Sequence, residues 1–165
     1  MQWHLVEIDG NEPKAGDGGP LDALIEFYRS FNGKDLAGLE SVWLAGHDPS
    51  MDNPIGGIRR GWSSIAEGYT KLFNGRAEVN VTFHDFTSQG GQDWHLFVGR
   101  ERGECKTSEE RIDLAIRTSR WFVRKEGVWR LLHHHGSIED PVMLSEYRRL
   151  IFGDGNDKVD LVLQL

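Results

Sequence analysis

Residues 111–138 constrain the fold more than any other part of this chain. They read Arg-Ile-Asp-Leu-Ala-Ile-Arg-Thr-Ser-Arg-Trp-Phe-Val-Arg-Lys-Glu-Gly-Val-Trp-Arg-Leu-Leu-His-His-His-Gly-Ser-Ile. Two β-rich runs flank a Gly-containing turn, and the second run ends in three consecutive histidines. Such a pattern predicts a long hairpin. Titratable side chains stand where a sheet normally carries apolar ones, which points to a sheet lining a cavity. Lys125-Glu126-Gly127 reads as a three-residue loop with Gly127 in a G1 bulge. That register pairs Arg124 with Val128. It sets Trp121 opposite Leu131, Ser119 opposite His133, and Arg117 opposite His135, all on one side of the sheet. Ile112, Leu114, Ile116, Phe122, Leu132, His134 and Ile138 take the other side. A one-residue change of register would exchange these assignments. One side is expected to cover helices and the other to meet a second subunit. The side holding Arg117, His133 and His135 beside large aromatics is the expected cavity wall.

The N-terminal half has helical periodicity. Pro20 suits a first helical residue, and Leu21, Leu24, Ile25, Tyr28 and Phe31 form an apolar stripe ending at Asn32-Gly33. Asp35 is an N-cap for a short second helix with Leu36, Leu39, Val42 and Trp43 on one face. Residues 46–60 read as an irregular connection. A third helix follows Gly61, carrying Trp62, Ile65, Ala66, Tyr69, Leu72 and Phe73. The period then changes to two at Val79, Val81 and Phe83, and strands are expected over 93–103, 111–124 and 128–139. Asp140-Pro141 opens a short closing helix, and Val159–Leu165 would add a strand or pack on a neighbour. The chain is thus α+β, with helices on one face of an antiparallel meander. Its parts are a flexible segment over 1–19, one domain over 20–152 and a tail over 153–165.

Composition narrows the function classes. A net charge of −7 over 165 residues argues against a nucleic-acid partner. No apolar run approaches the ~20 residues that span a bilayer, so no membrane partner is expected. The single cysteine, Cys105, excludes an intrachain disulfide and suits a reducing, cytoplasmic setting. It stands among charged residues without a histidine partner and is given no nucleophilic role.

Three segments resemble the nuclear-transport-factor-2-like (NTF2-like) superfamily, and within it the SnoaL-like proteins and ketosteroid isomerases. They are Tyr28-Arg-Ser-Phe-Asn-Gly-Lys-Asp-Leu-Ala-Gly-Leu, Asp52-Asn53-Pro54-Ile55-Gly56 with Arg60-Gly61-Trp62, and Gly127-Val-Trp-Arg-Leu-Leu-His-His-His-Gly-Ser137. The resemblance spans roughly residues 20–152. It implies a strongly curved antiparallel sheet wrapped around three N-terminal helices into a cone, a short C-terminal helix, an internal pocket and a dimer. The isomerases' chemistry does not carry over. Asn53 stands where they have the basic aspartate, Phe27 where they have the oxyanion-hole tyrosine, and Ser119 near their protonated aspartate. Tyr28 is one residue off and on another helical azimuth. Asp52 would be a displaced base on another side of the chain.

The residues that remain define the expected site. A cationic arginine neighbour favours a neutral imidazole. His135 would then be the proton acceptor, Arg117 the anion-stabilising group, and Asp113 their orienting carboxylate. The same groups also fit an ion network that only shapes a cavity. His133, Ser119, Trp121, Trp43, Trp62, Tyr69, Asp52 and Asn53 are the expected ligand contacts, although the aromatics equally suit an ordinary core. His133 and His135 alternate along a strand and could share a metal. A third ligand would have to be His95 or Asp113, and the reading includes neither metal nor cofactor. His134, on the opposite side, would pack at an interface. Arg59 and Arg60 are either solvated or attract an anion. The expected function is binding of a small, largely apolar organic molecule, with cofactor-independent acid–base chemistry (isomerisation, dehydration, cyclisation or hydrolysis) or, alternatively, a non-catalytic binding or dimeric assembly role.

Overall fold

A seven-stranded sheet, ordered β1-β4-β5-β6-β7-β2-β3, curves around three helices and is closed at one end by a fourth. The structure, a computed structural model, describes residues 1–154; the strand expected at 159–165 lies outside them. In chain order the elements are β1 (Gln2–His4), α1 (Pro20–Asn32), α2 (Leu36–Val42), β2 (Ser50–Asp52), β3 (Ile58–Arg60), α3 (Trp62–Phe73), β4 (Glu78–Gly90), β5 (Trp94–Lys106), β6 (Arg111–Lys125), β7 (Val128–Ser137) and α4 (Pro141–Phe152).

The helices form where stripe and caps agree. Asp35 accepts from the Gly38 amide at 3.0 Å and starts α2. Asp140 accepts from the Val142 amide at 2.8 Å and starts α4, with Pro141 behind it. Leu24, Ile25, Phe27 and Tyr28 of α1 and Ile65 and Tyr69 of α3 are buried against the sheet. Along β6 the helix-facing side is Leu114, Ile116, Thr118, Arg120 and Phe122, all buried. The sheet's curvature is aided by a bulge in β4 between His84 and Thr87, where Asp85 has φ 46°.

The hairpin differs from the expected register in two places. Glu126 and Gly127, at φ 52° and 81°, form a two-residue turn, so Lys125 pairs with Val128. Left-handed values at both central positions are the type I′ pattern, whose twist matches the strands. A second irregularity follows at Leu132, which is unpaired between Leu131, opposite Phe122, and His133, opposite Trp121. Each event shifts the register by one. Beyond the bulge Ser119 faces His135 and Arg117 faces Ser137. The face sharing of Arg117, Ser119 and Trp121 with His133 and His135 therefore survives, displaced by one pair. Nearer the turn it does not: Leu131, expected beside Trp121, is buried against the core opposite Phe122.

Two segments are more ordered than their composition suggests. Residues 46–60 contain β2 and β3, and β2 joins β7 in parallel, setting Ser50, Met51 and Asp52 beside His133, His134 and His135. The lead-in read as flexible carries an edge strand paired with β4, and buried Ile8 bridges Phe83. Asp22 accepts from the amides of Ala15, Gly16 and Gly18, which folds the glycine-rich stretch onto the start of α1.

Candidate functional site

The principal cavity lies between the sheet and the helices and has a volume of about 640 Å³. Phe27 and Phe31 of α1, Tyr69 and Leu72 of α3, Val81 of β4 and Ile116 of β6 supply much of its apolar wall. Asn53 to Gly57 of the β2–β3 loop and Tyr147, Arg148 and Ile151 of α4 close its sides. Three buried polar residues also line it: Glu101 of β5, Arg120 of β6 and His134 of β7.

These three sit in a dense network. Arg120 donates through Nη2 to Glu101 Oε1 at 2.7 Å and through Nη1 to the Tyr28 hydroxyl at 2.5 Å. Tyr28 donates to Glu101 Oε1 at 3.0 Å, and Thr118 to Glu101 Oε2 at 2.9 Å. The guanidinium lies 4.1 Å from the Phe27 ring centroid and 4.6 Å from that of Tyr28, so aromatic faces cover a charge that water does not reach. Burial opposes that charge, but Tyr28 and Glu101 outweigh it and hold the guanidinium above its usual pKa. His134 is shifted the other way. Burial, then the Arg120 charge, holds its pKa well below the ordinary histidine value, so the ring is neutral. Three buried atoms in this region, Arg120 Nε, His134 Nδ1 and Arg148 Nε, have no hydrogen-bond partner. Unsatisfied buried nitrogens are costly; here they belong to residues lining a cavity.

The outer face of the sheet holds the residues expected to form the site. Trp3, Thr87, Val98, Ser119, His135 and Asp52 are successive partners across β1, β4, β5, β6, β7 and β2. A shallow groove of about 370 Å³ runs along part of this row and includes Arg117, Ser119 and His135. The expected Arg117–His135 contact is replaced by two others. Arg117 pairs with Glu139 at 3.1 Å, and His135 Nδ1 lies 3.2 Å from Asp52 Oδ2. Both side chains are about half exposed and lie outside the cavity, because the cavity takes the opposite residues of the same strands. Asp113 lies further along β6, is largely exposed, and sits 3.6 Å from Arg111. His133 Nδ1 is 2.8 Å from Ser50 Oγ. Trp121 is partly exposed on the outer face, and Trp43 is buried in the core. Trp62 donates to Glu40 at 3.1 Å. Of the expected ligand contacts, Tyr69 and Asn53 line the cavity.

Arg120, Glu101, Tyr28 and His134 were not singled out from the sequence. Arg120 and Thr118 were the available signal: they share the alternation of Leu114, Ile116 and Phe122, so a buried charge was implied. His134 was placed on the correct side, but that side faces the cavity. Cys105 is buried, and burial pushes its thiol up to about 11, which agrees with an inert role. Arg59, left open between solvated and anion-binding, lines the cavity and donates to the Ser64 carbonyl at 3.0 Å.

A strongly curved antiparallel sheet wrapped around helices is the NTF2-like fold. Solved structures agree. An NTF2-like dehydratase candidate from Streptomyces avermitilis is 19% identical, with a TM-score of 0.64 over 70% of this chain and 89% of its own. An NTF2-like superfamily protein from Salmonella enterica is 17% identical, with 0.63 over 70% and 85%. A calcium/calmodulin-dependent protein kinase type II association-domain candidate from Thiobacillus denitrificans is 20% identical, with 0.58 over 73% and 95%. Likeness at these identities establishes the fold alone. The SnoaL-like domain family matches residues 21–141, and the chain belongs to that family. No curated protein matches it. No helix among the described residues is long and apolar enough to cross a membrane.

Proposed function

We propose that the protein binds a small, largely apolar organic molecule in the cavity between sheet and helices, and that a carbonyl, hydroxyl or carboxylate on that molecule meets Arg120 and His134. The observation that carries this is the set of unpartnered buried nitrogens, on Arg120, His134 and Arg148, at a cavity with a largely apolar wall. An apolar chamber with a few convergent polar groups is the common form of a small-molecule site. The depressed pKa of His134 favours a neutral ring able to accept a proton, while Arg120 supplies a fixed positive charge for a developing oxyanion. General acid–base catalysis on a bound carbonyl or hydroxyl compound, with water added or released where the reaction requires it, is the reaction class these groups suit. It covers isomerisation, dehydration, cyclisation and hydrolysis.

Anilinonaphthalene sulfonate, an apolar body with one anionic group, is a suitable first probe. The expected result is saturable one-to-one binding by the folded protein, weakened at least about tenfold, or 1.4 kcal/mol, by Ile55→Trp at the cavity wall. Absence of saturable binding, or equal binding by the variant, would overturn the reading. Turnover of enolisable carbonyl compounds then separates enzyme from binding module. Loss in His134→Gln with an unchanged circular dichroism spectrum assigns catalysis to the cavity. Loss in His135→Ala or Arg117→Ala instead assigns it to the outer groove, where those residues and Asp113 would act. No turnover in any form leaves the binding role.

A second copy of this chain, meeting the outer face, is the partner we propose. Trp3, Val98 and Trp121 are partly or largely exposed there on adjoining cross-strand positions, and an exposed apolar cluster on a sheet is a usual subunit contact. Sedimentation should show a dimer that Val98→Arg dissociates. A monomeric wild type would exclude it. A cytoplasmic location belongs to the same proposal and rests on the single buried cysteine.

A further inference from the structure

The parallel junction of β2 and β7 brings together three groups that the cavity does not use. Asp52 and His135 are register partners, and His133 is the next residue of β7 on that face. A carboxylate oxygen of Asp52 and one ring nitrogen from each histidine lie within 4.8 Å of one another. We propose that Asp52, His133 and His135 form a site for a divalent transition-metal ion of the zinc and cobalt class, with water completing its coordination.

Four features support this assignment. First, two imidazoles with one carboxylate suit zinc, cobalt, nickel or iron(II) rather than calcium or magnesium, which prefer oxygen ligands. Second, the separations fit. Ligands about 2.0–2.1 Å from a tetrahedral ion stand about 3.3 Å apart, and His135 Nδ1 lies 3.2 Å from Asp52 Oδ2. The remaining separations, all within 4.8 Å, close by small movements of the Asp52 side chain and the half-exposed His135 ring. Third, the ligands stand on hydrogen-bonded strands, which hold them more firmly than a loop would. Fourth, His133 has the outer partner that metal-binding histidines usually have: Ser50 Oγ engages Nδ1 at 2.8 Å, fixing the ring and leaving its other nitrogen as the ligand atom.

Two cations bear on the site. Arg117, on the same face, is engaged with Glu139, and Arg60 is the cross-strand partner of Ser50. Their charges tune affinity downward but occupy none of the three ligands. The site is outside the cavity and does not depend on the ligand proposed there.

The experiment is a titration of the full-length, tag-free protein with cobalt(II) and then zinc(II), followed by visible ligand-field absorption and calorimetry. One cobalt per chain is expected, displaced by one zinc, with a raised melting temperature in the bound form. Asp52→Asn, His133→Gln and His135→Gln should each weaken binding at least about a hundredfold, and Ser50→Ala about tenfold. His47→Gln, in an exposed loop, should change nothing. Circular dichroism and sedimentation of each variant confirm that fold and assembly are intact. Absence of stoichiometric binding overturns the proposal. So does binding that persists unchanged in both His133→Gln and His135→Gln, because the ion would then be held elsewhere. Loss of anilinonaphthalene sulfonate binding with metal binding intact would refute only the cavity reading.

Discussion

Two neighbouring rows of the same sheet treat charge in opposite ways. The inner row, Ser88, Phe97, Arg120, His134, Met51 and Arg59, crosses the same strands as the outer row of Thr87, Val98, Ser119, His135 and Asp52. Both contain a histidine and a side chain of formal charge. In the inner row an arginine, with Glu101 from the adjoining row, is buried beneath aromatic rings, and the pair is tied by hydrogen bonds to Tyr28 and Thr118. In the outer row His135 and Asp52 meet in water. A buried charge is tolerable only while its partner remains, because desolvation removes water's compensation. An exposed pair is screened and contributes little. Position relative to the core, more than residue type, sets what each group can do.

The largest test of this contrast is Glu101→Ala. It strands the Arg120 charge in the core and should destabilise the protein by about 3–5 kcal/mol in urea unfolding. The double change Glu101→Leu with Arg120→Met should recover most of the loss, because an apolar pair of similar volume removes the charge as well as its partner. A double variant as unstable as the single one would mean that the ion pair itself holds the core.

Titration of His134 gives a middle-sized effect. Its folded pKa lies below the unfolded value, so the unfolded chain binds the extra proton first. Stability is therefore full above about pH 6.5 and falls as pH drops from there towards the folded pKa, by up to about 1.4 kcal/mol per pH unit for one proton. His134→Gln should flatten the stability profile in that window by this amount. An identical slope in both proteins would place the proton uptake elsewhere.

The smallest effect belongs to the outer row. His135→Ala should alter stability at pH 7 in metal-free buffer by less than about 1 kcal/mol, as for other solvent-exposed polar pairs. A loss matching that of Glu101→Ala would erase the distinction between the rows.

The helices were legible in the sequence because stripe, cap and stop signals coincide, as at Asp35 and Asp140-Pro141. The long strands were legible from alternation. β2 and β3 were not: each is short, and β2 exists because β7 offers it an edge, a partner far away in sequence. β1 and Ile8 were hidden for the same reason. At the candidate site, the sequence divided the histidines correctly between two faces but assigned the cavity to the wrong one. Arg117, His133 and His135 looked like pocket residues because titratable groups on a sheet suggest chemistry. Burial is decided by what packs on each face, and the apolar even-numbered side of β6 was the stronger clue. Asp52 was legible as a polar loop residue, whereas its alignment with His135 required the β2–β7 pairing.

Leu132 has a consequence at the level of the gene. It is the extra residue of β7, and past it the strand's alternation is reset. An in-frame loss of that one codon would remove the extra residue and leave Leu131 opposite Phe122 and His133 opposite Trp121, so each histidine would keep its face. One inherited deletion would thus straighten the strand while leaving the inner and outer histidines where they are.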